Sequence, residues 1–235
     1  MKILTNQNGS KMEQGSSDWM IARSGIPTAS EFDQLVTPGF KIRKGEMPKS
    51  YLAKKLAEAW QGGPLLGFNT FDAEQGQMLE GRAIPWYELE FGVEIERVGL
   101  ITTDDGRIGC SPDGLLPGSG IEVKCPQPQT HVGYLLNGAL PKDYAPQVHG
   151  AMFVTGYTSW MFLSYRPHFP KLVLHVERDE AIQKVLAEAL AEFLERFDAG
   201  MKRLMEINGG PPVRRPTPAP LPTAEGLKDP DDYKM

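Results

Sequence analysis

Cysteine is nearly absent from this chain: its 235 residues contain only Cys110 and Cys125. Two thiols cannot hold a four-cysteine iron–sulfur cluster. Both flank strand-like segments and read as small core hydrophobes, with no disulfide expected in a reducing compartment. Long hydrophobic runs are missing too. No stretch approaches the roughly 20 apolar residues that span a bilayer, and Met1-Lys-Ile-Leu-Thr-Asn6 lacks the apolar centre of a secretion signal. The expected location is therefore cytoplasmic. The four histidines, at 131, 149, 168 and 175, show no zinc-like spacing. Positive charge is scarce as well. A net charge of −5 disfavours a protein that coats nucleic acid over its whole surface. A local groove with clustered Lys and Arg stays compatible, because metal-binding carboxylates themselves add to the acidic count.

What is present is enough for one domain with a substantial core. Residues 1–208 read as that domain. From Gly209 the chain turns Pro-rich, charged and aperiodic, so 209–235 reads as a disordered tail. Residues 1–27 look extended and loop-rich. Thr28-Ala-Ser-Glu31 is a capping box ahead of a short helix to about Val36, with Phe32, Leu35 and Val36 inward. A Gly/Pro/Lys loop follows, whose Lys41, Arg43, Lys44 and Lys49 suit contact with a DNA backbone or are simply solvated. Helices are expected over about 49–60 (Leu52, Leu56, Ala59 inward) and 71–91 (Met78, Ile84, Trp86, Leu89 inward, with a kink at Pro85).

The pattern then changes to strands over about 93–103, 106–115 and 121–125, followed by helices over 129–138 and 143–155. Residues 157–165 are apolar on both faces and belong in a sheet interior, with 171–177 beside them. The last helix carries a stripe from Ile182 to Phe197. The fold class is α/β (α+β), a central mixed sheet flanked by helices.

The informative stretch is Cys110-Ser-Pro-Asp113-Gly-Leu-Leu-Pro-Gly-Ser-Gly-Ile-Glu122-Val-Lys124. On a strand, residues two apart share a face, so Glu122 and Lys124 project together while Ile121, Val123 and Cys125 face the other way. The turn at 117–120 folds the preceding segment back and brings Asp113 beside Glu122. Two carboxylates and an ammonium can hold a hard divalent ion and orient a water for phosphodiester attack. The same residues could equally be a turn aspartate and an ordinary cross-strand pair. A second copy of the pattern, at 229–234, has no apolar strand around it and carries no weight.

These residues resemble the phage lambda exonuclease family, nucleases of the PD-(D/E)xK type with a restriction-endonuclease-like core. The resemblance spans about 13–207: Glu13-Gln-Gly, Trp19, Arg23, Gly25 and Thr28-Ala-Ser-Glu31; Gly76-x-x-x-Glu80; the 110–126 hairpin; Tyr144-x-x-Gln147-Val148; and Val176-Glu-Arg-Asp179. It implies a Mg²⁺-dependent nuclease, with Mn²⁺ substituting and Ca²⁺ inhibiting. Such an enzyme digests the 5′-phosphorylated strand of duplex DNA and leaves a 3′ single strand for annealing. It also implies a homotrimeric ring and a single-strand annealing partner.

By the same resemblance, Asp113, Glu122 and the Val123 carbonyl ligate the metal. Lys124 positions or deprotonates water, Glu80 completes the site, and Gln147 orients a water or a phosphate oxygen. Arg23, Ser30 and Ser111 bind the 5′-phosphate, aided at Ser30 by the start of a helix; Trp19 packs on DNA or closes the core. The family pattern carries a basic residue after Cys-Pro; here Gln127-Pro-Gln-Thr-His131 intervenes, leaving that role to His131 or to nothing. A PD-(D/E)xK endonuclease and a non-catalytic recombination scaffold are the competing readings.

Overall fold

The run Ser-Trp-Met-Phe-Leu-Ser at 159–164 is apolar on both faces and lies inside a four-stranded sheet, as its pattern requires. A computed structural model describes residues 1–6, 9–65 and 71–212, and the side chains of all of these except 71–78. Strands β1 (Lys2–Ile3), β2 (Ile101–Thr102) and β3 (Gly109–Cys110) make a small antiparallel sheet. Strands β4 (Gly114–Leu116), β5 (Ser119–Lys124), β6 (Ser159–Ser164) and β7 (Leu172–Glu177) form the main sheet in that order. It is mixed: β5 and β6 run parallel, and the outer pairs are antiparallel.

Six α-helices accompany the sheets among the described residues: α1 (Ser17–Arg23), α2 (Glu46–Gln61), α3 (Phe71–Phe91), α4 (Pro128–Asn137), α5 (Ala145–Thr155) and α6 (Glu180–Asn208). A 3₁₀ helix spans Ala29–Gln34. Strand alternation sorts the core onto two faces. Ile121, Val123 and Leu163 pack with Ala83, Ile84 and Tyr87 of α3. Trp160 and Phe162 pack on the other side with Val148, Met152, Leu186, Leu190 and Phe32. Glu122 is paired in register with Phe162, so it and Lys124 face α5.

Several expectations need correction. The N-terminal region contains α1, whose Ser16 cap accepts the Trp19 N–H at 3.2 Å. It buries no residue and is too short to show periodicity. Helix α2 starts at Glu46, three residues before the expected position. The expected long strands at 93–103 and 106–115 are mostly loop, broken into β2, β3, β4 and a single bridge between Glu96 and Leu115. Leu89 is 85% exposed, not inward. The Thr28 side chain makes no capping bond to the helix backbone; its hydroxyl goes to the Glu31 carboxylate. Met78 has its side chain outside the described residues, as does nearly all of the expected tail, 213–235. Among the described residues no helix is long and apolar enough to cross a membrane.

Candidate active site

The hairpin does what its sequence demands. Gly118, at φ +71°, closes the turn between β4 and β5, and Gly114 pairs with Ile121. One step further in that register, Asp113 comes opposite Glu122. Asp113 Oδ2 accepts the Val123 N–H at 2.6 Å. Glu122 Oε1 accepts Lys124 Nζ at 2.5 Å and Gln147 Nε2 of α5 at 2.6 Å. Lys124 Nζ lies 5.0 Å from the ring centre of Tyr144, over its face.

Asp113 and Glu122 are 9% and 3% exposed. Burial pushes both carboxyls above their ordinary range; the nearby Glu122 and Glu80 charges push Asp113 further, while Lys124 partly offsets the rise at Glu122. Burial opposes the Lys124 charge, but Glu122 and Asp113 outweigh it and raise that pKa. Buried anionic charge in excess of its cation, on oxygen donors only, fits a hard divalent ion, whose charge would relieve the carboxylates. Burial raises the Cys110 thiol and takes Cys125 to about 12, so neither is a nucleophile.

The expected site residues assemble unequally. Asp113, Glu122, Lys124 and Gln147 come together, but Gln147 is spent on Glu122 rather than turned to substrate. Val123 enters through its N–H. Glu80 of α3 pairs with Arg97 Nη2 at 2.7 Å. Its charge reaches Asp113 and Glu122, yet no three His, Cys, Asp or Glu side chains converge on a common metal position among the described residues.

The second constellation forms a continuous cluster. Trp19 Nε1 donates to Ser111 Oγ at 2.9 Å and to the Gly99 carbonyl at 3.0 Å. The Arg23 guanidinium stacks on the Trp19 ring at 4.3 Å and donates through Nη2 to Thr28 Oγ1 and Ser30 Oγ, both at 3.1 Å. Ser30 sits in a 3₁₀ helix of six residues, too short for a macrodipole, so side chains rather than helix ends shape this cluster.

His131 takes no part. It is fully buried, with Nδ1 2.7 Å from Ser164 Oγ and Nε2 2.8 Å from the Pro170 carbonyl. A carbonyl only accepts, so Nε2 carries the proton and the ring is a satisfied core histidine. The cation beside the motif's Cys-Pro is instead Arg166, which follows β6 and donates to the Pro126 carbonyl at 3.3 Å. Parallel pairing of β5 and β6, invisible in one sequence, puts it there. Tyr144 and Thr28 were also missed as neighbours of the site. Arg43 of the basic loop is structural, bonded to the Asp33 and Val36 carbonyls.

A mixed sheet with a buried Asp-Glu-Lys hairpin and a helix on each face is a restriction-endonuclease-like nuclease architecture. The YqaJ-like viral recombinase domain matches residues 18–158. The chain belongs to that family, the lambda-exonuclease family.

LHK-Exo, an alkaline exonuclease from Laribacter hongkongensis, is 26% identical and superposes with a TM-score of 0.74 over 83% of this chain and 98% of that one. A second LHK-Exo structure, in complex with dAMP, is 27% identical with the same score and coverage. A phage-related exonuclease from Haemophilus somnus 129PT, at 13% identity and a TM-score of 0.58 over 76% of this chain and 96% of that one, shares the fold. The uncharacterized protein ExoD of Escherichia coli K12 is 30% identical over 74 residues, 30% of this chain and 85% of that protein. Membership of this viral recombinase and alkaline exonuclease family implies a DNA exonuclease.

Proposed function

We propose that this protein is a Mg²⁺-dependent 5′-to-3′ exonuclease on double-stranded DNA that degrades the 5′-phosphorylated strand and leaves a 3′ single strand for recombination by annealing. The observation that carries the reading is the buried Asp113–Glu122 pair with Lys124 beside it on one hairpin. Asp113 and Glu122, with the Val123 carbonyl, would hold the ion. Bound Mg²⁺ supplies Lewis-acid polarisation of the phosphate and a water of lowered pKa. Lys124, kept protonated by its carboxylate neighbours, orients the attacking water and offsets charge growing on the phosphate rather than serving as a base. Gln147 holds Glu122 in place. Glu80 adds negative charge from α3 and would complete the ion's site, directly or through water.

Arg23, Ser30 and Ser111 form the pocket for the terminal phosphate, and Trp19 is its wall. The donors on Arg23 Nε and Nη1 have no hydrogen-bond partner among the described residues, which leaves N–H groups for a phosphate oxygen. The Ser111 oxygen accepts from Trp19, so its own proton is left to donate. The dAMP complex of LHK-Exo supports a site that accepts a mononucleotide. Mn²⁺ would replace Mg²⁺ and Ca²⁺ would inhibit. A homotrimeric ring and a single-strand annealing partner complete the reading.

The test incubates protein and Mg²⁺ with linear duplexes bearing 5′-phosphate or 5′-hydroxyl ends, beside a covalently closed circle, and follows each strand by length. Progressive loss of the 5′-phosphorylated strand with the circle intact is expected. A cut circle would make the protein an endonuclease, and no cleavage at all would make it a scaffold.

A further inference from the structure

Between α2 and the Arg23 pocket lies a charge cluster that the chemistry above does not use. Lys55 and Glu58 have side chains only 3% and 7% exposed and pair at 3.0 Å. Lys55 also pairs with Glu31 at 2.8 Å, and Lys54 meets the outer side of Glu31 at 2.6 Å. Buried ion pairs are often no more stable than apolar replacements, so stability alone is a weak reason for this arrangement. Its connections lead to the pocket. Glu58 Oε2 accepts the Gly25 N–H at 3.0 Å, just beyond α1, and Glu31 Oε2 accepts the Thr28 hydroxyl at 3.2 Å.

An ionised carboxylate can only accept, so the single Thr28 proton is committed to Glu31. The Thr28 lone pairs are thereby turned to Arg23 Nη2 at 3.1 Å and to the Ser30 hydroxyl at 3.4 Å. Burial opposes the Glu31 charge, but Lys55 and Lys54 outweigh it and hold its pKa at about 2. The polarity of the relay therefore persists at any working pH. Lys54 and Lys55 offset Glu31 and Glu58, which leaves Arg23 as the uncompensated cation of the cluster.

We propose that Glu31, held by Lys55, is a positioning residue for the terminal anion. Through the Thr28 hydroxyl it fixes Arg23 and Ser30, and so sets the preference for a 5′-phosphate over a 5′-hydroxyl end. This rests on the reading of Arg23, Ser30 and Ser111 as the 5′-phosphate pocket.

The experiment compares cleavage of 5′-phosphate and 5′-hydroxyl duplexes by the unmodified full chain and by Thr28→Val, Thr28→Ser and Glu31→Gln. Thr28→Val removes the relay with little change of shape; Glu31→Gln removes the charge and the acceptor-only carboxylate that commits the Thr28 proton. The phosphate-over-hydroxyl rate ratio should fall about tenfold in both, the effect of losing one hydrogen bond to a charged group, and Thr28→Ser should restore it. The ratio is taken within each preparation, so a smaller folded fraction lowers both rates equally and cancels. An unmodified chain with no phosphate preference overturns the pocket itself. A strong preference that survives in Thr28→Val and Glu31→Gln overturns the positioning role alone.

Discussion

Asp113 shows how a residue suited to chemistry weakens the fold that carries it. Its carboxyl is 9% exposed, and burial, with the Glu122 and Glu80 charges, raises its pKa. A group whose folded pKa exceeds its unfolded value contributes stability below the unfolded pKa and loses it as pH rises. At neutral pH, without metal, Asp113 is therefore a liability. Asp113→Asn keeps an oxygen to accept the Val123 N–H while removing the charge. It should abolish cleavage and raise Tm, by about 2–4 °C for each kcal/mol relieved. Calorimetry of metal-free protein at pH 7 checks this, and an unchanged or lower Tm would count against the electrostatic account.

Elements meet at the site through close approaches that only small residues permit. A Cβ on Gly150 of α5 would come within 2.5 Å of the Phe32 ring in the 3₁₀ helix. That contact holds the helix bearing Gln147 against the one bearing Ser30. Gly150→Ala should cost about 1–3 kcal/mol by overpacking and lower cleavage of 5′-phosphorylated duplex; urea unfolding beside the nuclease assay measures both.

The link between α2 and the 3₁₀ helix has an acid limit. Glu31 has a folded pKa of about 2 against an ordinary 4.5, so the unfolded chain binds more protons in between. Stability from this group is complete above pH 4.5 and is lost as pH falls toward 2. The loss is on the order of 3 kcal/mol, and Glu31→Gln should lack that component when urea midpoints are followed across the window.

At the scale of the whole molecule, a net charge of −5 has to coexist with DNA binding. In the proposed reading the positive charge is local: Arg23 at one cluster, Lys124 and Arg166 at the ends of adjacent strands. The proposed ring would make processivity a property of the assembly rather than of the chain. Light scattering should then give three times the chain mass, and a monomer under assay conditions would remove that explanation.

The hairpin was legible because its logic is local. A two-residue period, a Gly-containing turn and an acid-x-Lys pair place Asp113, Glu122 and Lys124 without long-range knowledge. The buried strand at 159–164 and the stripe of α6 were legible for the same reason. Non-local pairing decided the rest. Arg166 reaches Pro126 because β6 lies parallel to β5, His131 is turned inward by Ser164 and Pro170, and Glu80 is drawn off by Arg97 from another segment. The amino-acid sequence by itself determined that Asp113, Glu122 and Lys124 share one hairpin, since strand alternation and turn sterics act over a few residues. The tertiary structure alone decided which side chains are free to use it, because hydrogen bonds and charges are shared among segments far apart in the chain.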